Sequence, residues 1–235
     1  MKSILLTISQ LVLTLVLYVI GAIVMAVALI PAYLFWMFLH YCAMDLNHWW
    51  QMFWGLLGIS GGYFIFGLSL MLLVGFIRSF LFIQLKEGEY KIGTPETLKW
   101  FFVNALFLSV RTVFMDFMQL TPFCAFFYRL MGAKLGRNVQ INSKNVADHS
   151  LLEIGDNTVI GGNATVIGHI FETRGLRLMK VKIGKNVVIG LNSVIMPGVV
   201  ISDGAVVAAG AIVPKQTVIE PHTIYYSPDR QVKKI

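Results

Sequence analysis

The stretch VKIGKNVVIGLNSVIMPGVVISDGAVVAAGAIVPK, residues 181–215, repeats with a period of six residues and decides the fold. Large aliphatic residues occupy every sixth position through and just beyond it: Ile183, Ile189, Ile195, Ile201, Val207, Val213 and Ile219. Four residues after each stands a compact side chain: Val187, Ser193, Val199, Ala205, Ala211, Thr217 and Thr223. This period fits a parallel β-helix, in which three short strands form one triangular coil. The pattern predicts that the aliphatic residues fill the core and that the compact residues let the chain turn each corner.

The repeat begins earlier and is interrupted twice. Its earlier members are Leu135, Ile141, Ile154, Ile160 and Val166. The first interruption is a break of register between Asn142 and Glu153. After Val166 the next unit would begin at residue 172, but the period resumes only at Ile183, eleven residues late. The second interruption, which includes GHIFETRG, therefore predicts a loop expelled from one corner of the coil.

The N-terminal third of the chain has the composition of a membrane protein. The whole sequence is 57% hydrophobic and only 13% charged, and between Ile4 and Ile83 only Asp45 and Arg78 carry a formal charge. About 20 apolar residues cross a bilayer, so two apolar blocks joined by a short polar loop predict a transmembrane helical hairpin over residues 1–83. The first block is too long for a signal peptide and is expected to remain as an anchor.

The positive charges predict the orientation of this hairpin. Lys86, Lys91 and Lys99 follow the second apolar block, and lysine is enriched on the cytoplasmic side of membranes. We therefore expect a multi-pass protein of the inner (cell) membrane with a cytoplasmic β-helix. Basic residues beside apolar segments also account for the net charge of +7, so we expect membrane lipids and no nucleic acid as partners.

Residues 84–131 separate the hairpin from the repeats. Their apolar surface is interrupted by Arg111, Asp116 and Arg129 and by the helix breaker Thr121-Pro122. Charges are costly at the centre of a bilayer, so the pattern favours a cytoplasmic linker with interfacial amphipathic helices. A third and fourth span with a buried Arg111–Asp116 pair is the alternative. Three regions are thus predicted: 1–83, 84–131 and a β-helix domain over 132–235.

Several motifs carry a resemblance to known families. The segments LGRNVQI, EIGDNTVIGGN and PHTIYYSPDR, together with the quoted repeat, resemble the left-handed β-helix hexapeptide-repeat acyltransferases. The segments LKEGEYKIGTPETLKWFF and YRLMGAKLGRNV resemble the membrane-linked terminal modules of poly-lysine and related amino-acid homopolymer synthetases. The resemblance implies a homotrimer that transfers an acyl group from a thioester to a hydroxyl or amine. It also implies an active site between subunits, in which a histidine is the general base.

Two histidines are candidates for that base. His169 begins the expelled loop and matches the loop histidine of the sugar acetyltransferases. His149, in VADHSLLEIGD, resembles the Asp-His pair of the serine acetyltransferases. Imidazole exchanges protons near neutral pH, so either residue type suits the role. We favour His169 and expect Glu172 to orient or assist it, and His149 remains open.

The resemblance also implies a binding surface for the donor. The pantetheine arm of acyl-CoA would lie beside the small residues Ala208, Ala209 and Gly210, and Lys215 and Arg230 would contact the phosphates. An acyl or peptidyl carrier protein is a second candidate donor, because it presents the same arm. No metal is expected.

The favoured function is a membrane-embedded acyltransferase whose acceptor is lipid-linked. A non-catalytic trimeric scaffold is one alternative, since a repeat fold by itself does not prove a reaction. A γ-type carbonic anhydrase is another, but it needs three histidine ligands for zinc.

Overall fold

The computed structural model describes residues 2–227, without the side chains of residues 2–6 and 9. The chain divides into two compact units. One comprises Met1–Ile77 and Ala105–Phe114, and the other comprises Arg78–Asn104 and Met115–Ile235.

The first unit is built on two long helices, α1 (Lys2–Ala43) and α2 (His48–Phe80). Glycines on α2 let the two helices approach closely: a Cβ added at Gly58 would lie 2.7 Å from the Trp36 ring, and one at Gly61 would lie 2.9 Å from Phe35. Small residues serve the same purpose where helices pack in membranes. Gln10–Ala43 and His48–Phe80 are long and apolar enough to cross a membrane, and within residues 2–227 they are the only such helices.

Three further helices and one strand follow: β1 (Gly88–Tyr90), α3 (Pro95–Val113), α4 (Met115–Met118) and α5 (Pro122–Leu130). Helix α5 is amphipathic, because Phe127 and Tyr128 are buried whereas Phe123 and Phe126 are exposed. The Asp116 side chain is 61% exposed and pairs with Lys144 at 2.7 Å. It is therefore not the buried charge that the four-span alternative requires.

The β-helix consists of short parallel strands in three sheets. The first sheet contains β2 (Lys134–Leu135), β4 (Leu152–Ile154), β9 (Val181–Ile183), β12 (Val200–Ile201) and β15 (Val218–Ile219). The second contains β3 (Gln140–Ile141), β5 (Val159–Ile160), β10 (Val188–Ile189), β13 (Val206–Val207) and β16 (Ile224–Tyr225). The third contains β6 (Thr165–Val166), β11 (Val194–Ile195) and β14 (Ile212–Val213).

The register of these strands confirms the predicted six-residue period. Ile189 is paired with Ile160 on one side and Val207 on the other, so residues three repeats apart are stacked. All seven aliphatic residues of the main repeat, from Ile183 to Ile219, are at most 3% exposed. They form the apolar interior of the left-handed β-helix.

The corners of the coil are made by residues with positive φ. Asn138, Asn157 and Asn186 stack at one corner, and Asn163 and Asn192 stack at another, all with φ between 54° and 56°. Each amide donates to the carbonyl oxygen of the next, as from Asn163 to Asn192 at 2.9 Å. Asparagine tolerates this backbone region better than other non-glycine residues because its short side chain forms local hydrogen bonds. Asparagine ladders therefore stabilise the turns, a feature that the sequence pattern did not reveal.

The expelled loop is present, and it is an ordered hairpin. Strands β7 (His169–Glu172) and β8 (Gly175–Leu178) pair antiparallel around the turn residues Thr173 and Arg174. Strand β1 adds to the other edge of β8. Gly175 is required there, because its φ is 127° and a side chain would collide with the Tyr90 carbonyl group.

The Asn163 corner provides a test of the ladders. Asn163→Ala should lower the free energy of unfolding by about 1–2 kcal/mol, since alanine disfavours the left-handed backbone region and both ladder bonds of Asn163 are lost. Asn163→Gly should be less destabilising, because glycine accepts the same φ. Thermal unfolding of the detergent-solubilised chain measures both. Asn142→Ala, at the same corner but without a positive φ, is the control; an effect equal to that of Asn163→Ala would refute the explanation.

Candidate active site

The two interruptions of the repeat lie at the same corner of successive coils. The first lies between the bridge formed by Val146 with Val166 and strand β4, and it contains a 3-10 turn, His149–Leu151. The second, the hairpin, lies between β6 and β9. Because successive coils are stacked, the interruptions become neighbours in space, and they bring Asp148 against His169.

Asp148 and His169 form a hydrogen-bonded dyad. Asp148 Oδ2 lies 2.5 Å from His169 Nδ1 and also accepts the Gly168 backbone N–H at 2.9 Å. The Asp148 side chain is fully buried, whereas the His169 side chain is 25% exposed. Asp148 has φ 55° and ψ 43°, a strained backbone for an aspartate. Such strain is often stored at functional sites.

Trp100 completes the surroundings of the dyad. Its indole Nε1–H donates to Asp148 Oδ1 at 2.8 Å. Its ring lies 4.7 Å from the His169 ring between centroids, and Phe171 packs edge-on against it at 5.4 Å. The carboxylate therefore accepts three hydrogen bonds, which compensate the cost of burying it.

This arrangement gives His169 the properties of a general base. An ionised carboxylate can only accept hydrogen bonds, so the His169 nitrogen that faces Asp148 must carry the proton. The other nitrogen, Nε2, then has the lone pair. A partly exposed imidazole oriented in this way can take a proton from an incoming hydroxyl or amine.

His149 has a different environment. It is 2% exposed, and its ring lies 4.4 Å from the ring of Tyr128 on α5. Burial lowers the pKa of His149 to about 3, although the Asp148 charge acts in the opposite direction. His149 is thus a neutral interior residue at neutral pH.

Glu172 is not beside His169. His169 and Phe171 both contact Trp100, and side chains alternate along a strand, so Glu172 points to the opposite face of β7. It accepts a hydrogen bond from Lys215 Nζ at 2.5 Å, and this bond lowers the pKa of Glu172. Asp148, rather than Glu172, holds the imidazole.

The predicted donor-binding residues occupy two corners. Lys215 lies between β14 and β15, at the corner that carries the hairpin, whereas Ala208, Ala209 and Gly210 lie between β13 and β14. Ala209 and Gly210 are exposed. Arg230 lies outside the described residues. Residues 2–227 do not bring these side chains into contact with His169.

A groove beside the hairpin is lined by both acidic and basic side chains. It has a volume of about 480 Å³ and includes Glu87, Glu89, Arg177, Lys180 and Lys182. Four of these five charged side chains form ion pairs, since Lys180 lies 3.6 Å from Glu87 and Arg177 lies 3.4 Å from Glu89. His169 and Asp148 do not line it.

The sequence analysis placed Asp148 in a pair with His149 rather than with His169, and it did not identify Trp100. Asp148 could have been found by noting that both interruptions replace the same corner, three strands apart. Trp100 lies within the quoted segment LKEGEYKIGTPETLKWFF, but the repeat gives no sign of its role, because it belongs to a helix outside the coils. Within the described residues no group of three or more histidine, cysteine, aspartate or glutamate side chains is placed to hold a metal ion, and His149 and His169 face different surroundings.

A family model and a curated protein match the chain. The model, described as the hexapeptide repeat of succinyl-transferase, matches residues 152–170 and 180–215, on either side of the hairpin. The delta-poly-L-ornithine synthetase of Acinetobacter baumannii (strain AB307-0294) is 23% identical over 135 residues, which are 57% of this chain and 10% of that protein. The chain thus spans about a tenth of the length of this relative. These matches confirm the predicted resemblance to the hexapeptide-repeat acyltransferases and to the homopolymer synthetases.

Three solved structures are similar to parts of the chain. A hexapeptide-repeat acetyltransferase from Vibrio cholerae is 28% identical with a TM-score of 0.37, covering 40% of this chain and 57% of that one. A maltose O-acetyltransferase from Clostridium difficile 630 is 21% identical with a TM-score of 0.40, covering 60% and 88%. A serine acetyltransferase from Neisseria gonorrhoeae is 17% identical with a TM-score of 0.41, covering 70% and 52%.

The buried His149 makes stability depend on pH. Above its ordinary pKa of about 6.5 the histidine is neutral in both states. Below that pH the unfolded chain binds a proton that the folded chain, with the pKa lowered to about 3, does not bind. The free energy of unfolding should therefore fall by about 1.4 kcal/mol for each pH unit below about 6.5.

His149→Phe should remove this contribution, because phenylalanine fits among the same aromatic neighbours and does not titrate. Unfolding measured from pH 7 to pH 4.5 should show a shallower decline for His149→Phe than for the natural chain. His222→Asn replaces an exposed corner histidine of φ 55° with a residue that accepts this backbone, and it should keep the natural pH dependence. Identical slopes for the natural chain and His149→Phe would contradict the prediction.

Proposed function

We propose that this chain is a membrane-anchored acyltransferase that moves an acyl group from a thioester to a hydroxyl or amine acceptor. The observation that carries the proposal is the Asp148–His169 dyad, held at the base of a hairpin that leaves a β-helix of the acyltransferase type. His169 is the general base and Asp148 is its orienting partner.

The reaction follows from the chemistry of the dyad. His169 Nε2 accepts the proton of the acceptor O–H or N–H while the acceptor atom attacks the thioester carbonyl carbon. The tetrahedral intermediate collapses, the C–S bond breaks, and the thiolate takes the proton from the imidazolium. Asp148 stays ionised and stabilises the positive charge that forms transiently on His169.

His169 is a better base than its rival His149 for two physical reasons. A base must reach the proton that it removes, and the side chain of His169 is partly exposed whereas His149 is buried against Tyr128. A base must also be able to become charged, and burial opposes charging of His149. His149 therefore has a structural role in this proposal.

The donor is a thioester with a pantetheine arm, either acyl-CoA or an acyl or peptidyl carrier protein. Ala208, Ala209 and Gly210 present a surface without bulky side chains, and Lys215 supplies a positive charge at the corner of the hairpin. Since these residues and His169 do not meet within the described chain, we propose that the cleft is completed by a neighbouring subunit in a homotrimer.

The helical regions suggest where the acceptor is found. Two helices have the length and hydropathy of membrane spans, and α5 exposes Phe123 and Phe126. We propose that residues 1–83 anchor the chain as a multi-pass protein of the inner membrane, with residues 84–131 at the interface and the β-helix of residues 132–235 in the cytoplasm. A lipid-linked acceptor could then remain in the bilayer while its reactive group enters the cleft.

Substitution of the two histidines tests the assignment. His169→Asn should lower the transfer rate by about a hundredfold to ten-thousandfold, the usual contribution of a general base, with the KM for the thioester little changed. His149→Phe should keep most of the activity. The assay follows thiol release and labelled product from acyl-CoA or acyl-carrier protein with a membrane lipid extract.

The opposite result would exchange the two assignments: activity lost in His149→Phe and kept in His169→Asn. The scaffold alternative predicts a third result, in which both variants sustain the cellular phenotype and the purified protein transfers no acyl group from any thioester.

Two donors, one with and one without phosphates, test whether Lys215 binds the phosphates of acyl-CoA. Lys215→Gln should raise the KM for acyl-CoA roughly tenfold, because one charge-assisted hydrogen bond to a phosphate is lost. The KM for an acyl-pantetheine without phosphates should not change. Lys185→Gln, which removes a lysine paired with Asp156 at another corner, is the control. Equal effects of Lys215→Gln on the two donors would exclude a phosphate contact.

A further inference from the structure

Trp100 lies on α3, outside the repeat, and yet it contacts both members of the dyad. Its indole N–H is bonded to Asp148 Oδ1, and its ring lies against the ring of His169. We propose that Trp100 is a positioning residue, which fixes the Asp148 carboxylate and through it the proton and the orientation of His169. This inference rests on the proposed role of His169 as the base.

The first argument concerns rotation of the carboxylate. A carboxylate with donors on one oxygen only can tilt about that oxygen, because nothing holds the other one. Here Oδ1 accepts from Trp100 at 2.8 Å and Oδ2 accepts from Gly168 and His169 at 2.9 and 2.5 Å. Each oxygen therefore has its own donors, and rotation would break three hydrogen bonds together.

The second argument concerns water. The Asp148 side chain has no exposed surface, so solvent cannot replace a donor that is removed. An unpaired acceptor in such a place is costly, and the carboxylate would move to find another donor. The remaining donors are the Gly168 N–H and the His169 imidazole, so movement of Asp148 changes the bond that sets the tautomer of the base.

The third argument concerns the rigidity of Trp100 itself. It is 8% exposed and belongs to a small apolar cluster with Leu85, Leu151, Leu176 and Leu178, distinct from the core of the coils. A side chain held by packing on several elements has little freedom. Because the cluster fixes the indole, the indole holds the Asp148 carboxylate in one position.

The other charged groups near the hairpin do not face the His169 ring. Arg177 on β8 lies opposite Ile170, and its guanidinium group faces Glu89 and Glu172. These side chains are on the other face of the hairpin from the His169 ring. Asp148 is the charged group bonded to that ring, and Trp100 acts through it.

Two variants separate the N–H group from the ring. Trp100→Phe keeps an aromatic ring and removes the donor, whereas Trp100→Gln keeps an N–H donor and removes the ring. Phe101→Leu is the matched control, because Phe101 packs against the same cluster and is its chain neighbour. All are made in the full chain in detergent.

The first measurement is the nitrogen-15 NMR spectrum of labelled histidine, with the His169 signals assigned from His169→Asn. In the natural chain at neutral pH we expect a protonated Nδ1 and an unprotonated Nε2. Trp100→Phe should give a mixture of the two tautomers, Trp100→Gln should restore part of the natural pattern, and Phe101→Leu should retain it.

The second measurement is thiol release from acetyl-CoA with a membrane lipid extract. Trp100→Phe should lower kcat roughly tenfold to a hundredfold, the usual effect of a misplaced catalytic group, and leave the KM for acetyl-CoA within about threefold. A natural tautomer and kcat in Trp100→Phe would overturn the inference. So would equal losses in Trp100→Phe and Phe101→Leu, which would indicate packing alone.

The two proposals can fail separately. If the natural chain transfers no acyl group from any thioester, the proposed function fails, while the NMR comparison still decides whether Trp100 sets the tautomer of His169.

Discussion

The structure of this protein depends on the geometry of the coil corner. Each coil has to change direction three times within eighteen residues while its strands remain in register with those of the coils before and after it. The inward positions of the coils are aliphatic from Leu135 to Ile219, and a residue at several corners must adopt a positive φ. Asparagine and glycine satisfy the second requirement at most of these corners, and the asparagines add hydrogen bonds between successive coils. Because this geometry is so strict, an interruption of the six-residue repeat marks a corner that is built differently.

Both interruptions of the repeat lie at the same corner of the coil. The segment that contains Asp148 and the hairpin that begins with His169 replace the same corner in neighbouring coils, so a deviation of a few residues in one coil is matched by a longer one in the next. A buried carboxylate is unfavourable unless hydrogen bonds compensate it. Here the compensation comes from three donors on two segments, Trp100 on α3 and the adjacent residues Gly168 and His169, and one of the donors is the imidazole. The stability of the corner and the orientation of the His169 imidazole therefore have a single cause.

The same reasoning explains why two histidines of similar sequence context have different chemistry. His149 follows Asp148 directly, and its ring is turned inward against Tyr128. His169 is twenty residues further along, and its ring stays partly exposed. Chain proximity to an aspartate does not make a dyad, because the side chain of Asp148 points across the corner to the next coil and not along its own segment.

The sequence by itself determined the β-helix, the expelled loop and two helices of membrane-spanning length. These are properties of period and composition, which act locally and can be counted along the chain. The resemblance of its motifs to known acyltransferases also limited the candidate base to His169 or His149. Only the tertiary structure showed that Asp148 belongs with His169, that Glu172 belongs with Lys215, and that a tryptophan from α3 holds the carboxylate. Those pairings join residues 20 to 50 positions apart, from 21 for Asp148 and His169 to 48 for Trp100 and Asp148. They are contacts between stacked coils, or between a coil and a packed helix, and the periodicity of a sequence does not reveal such long-range contacts.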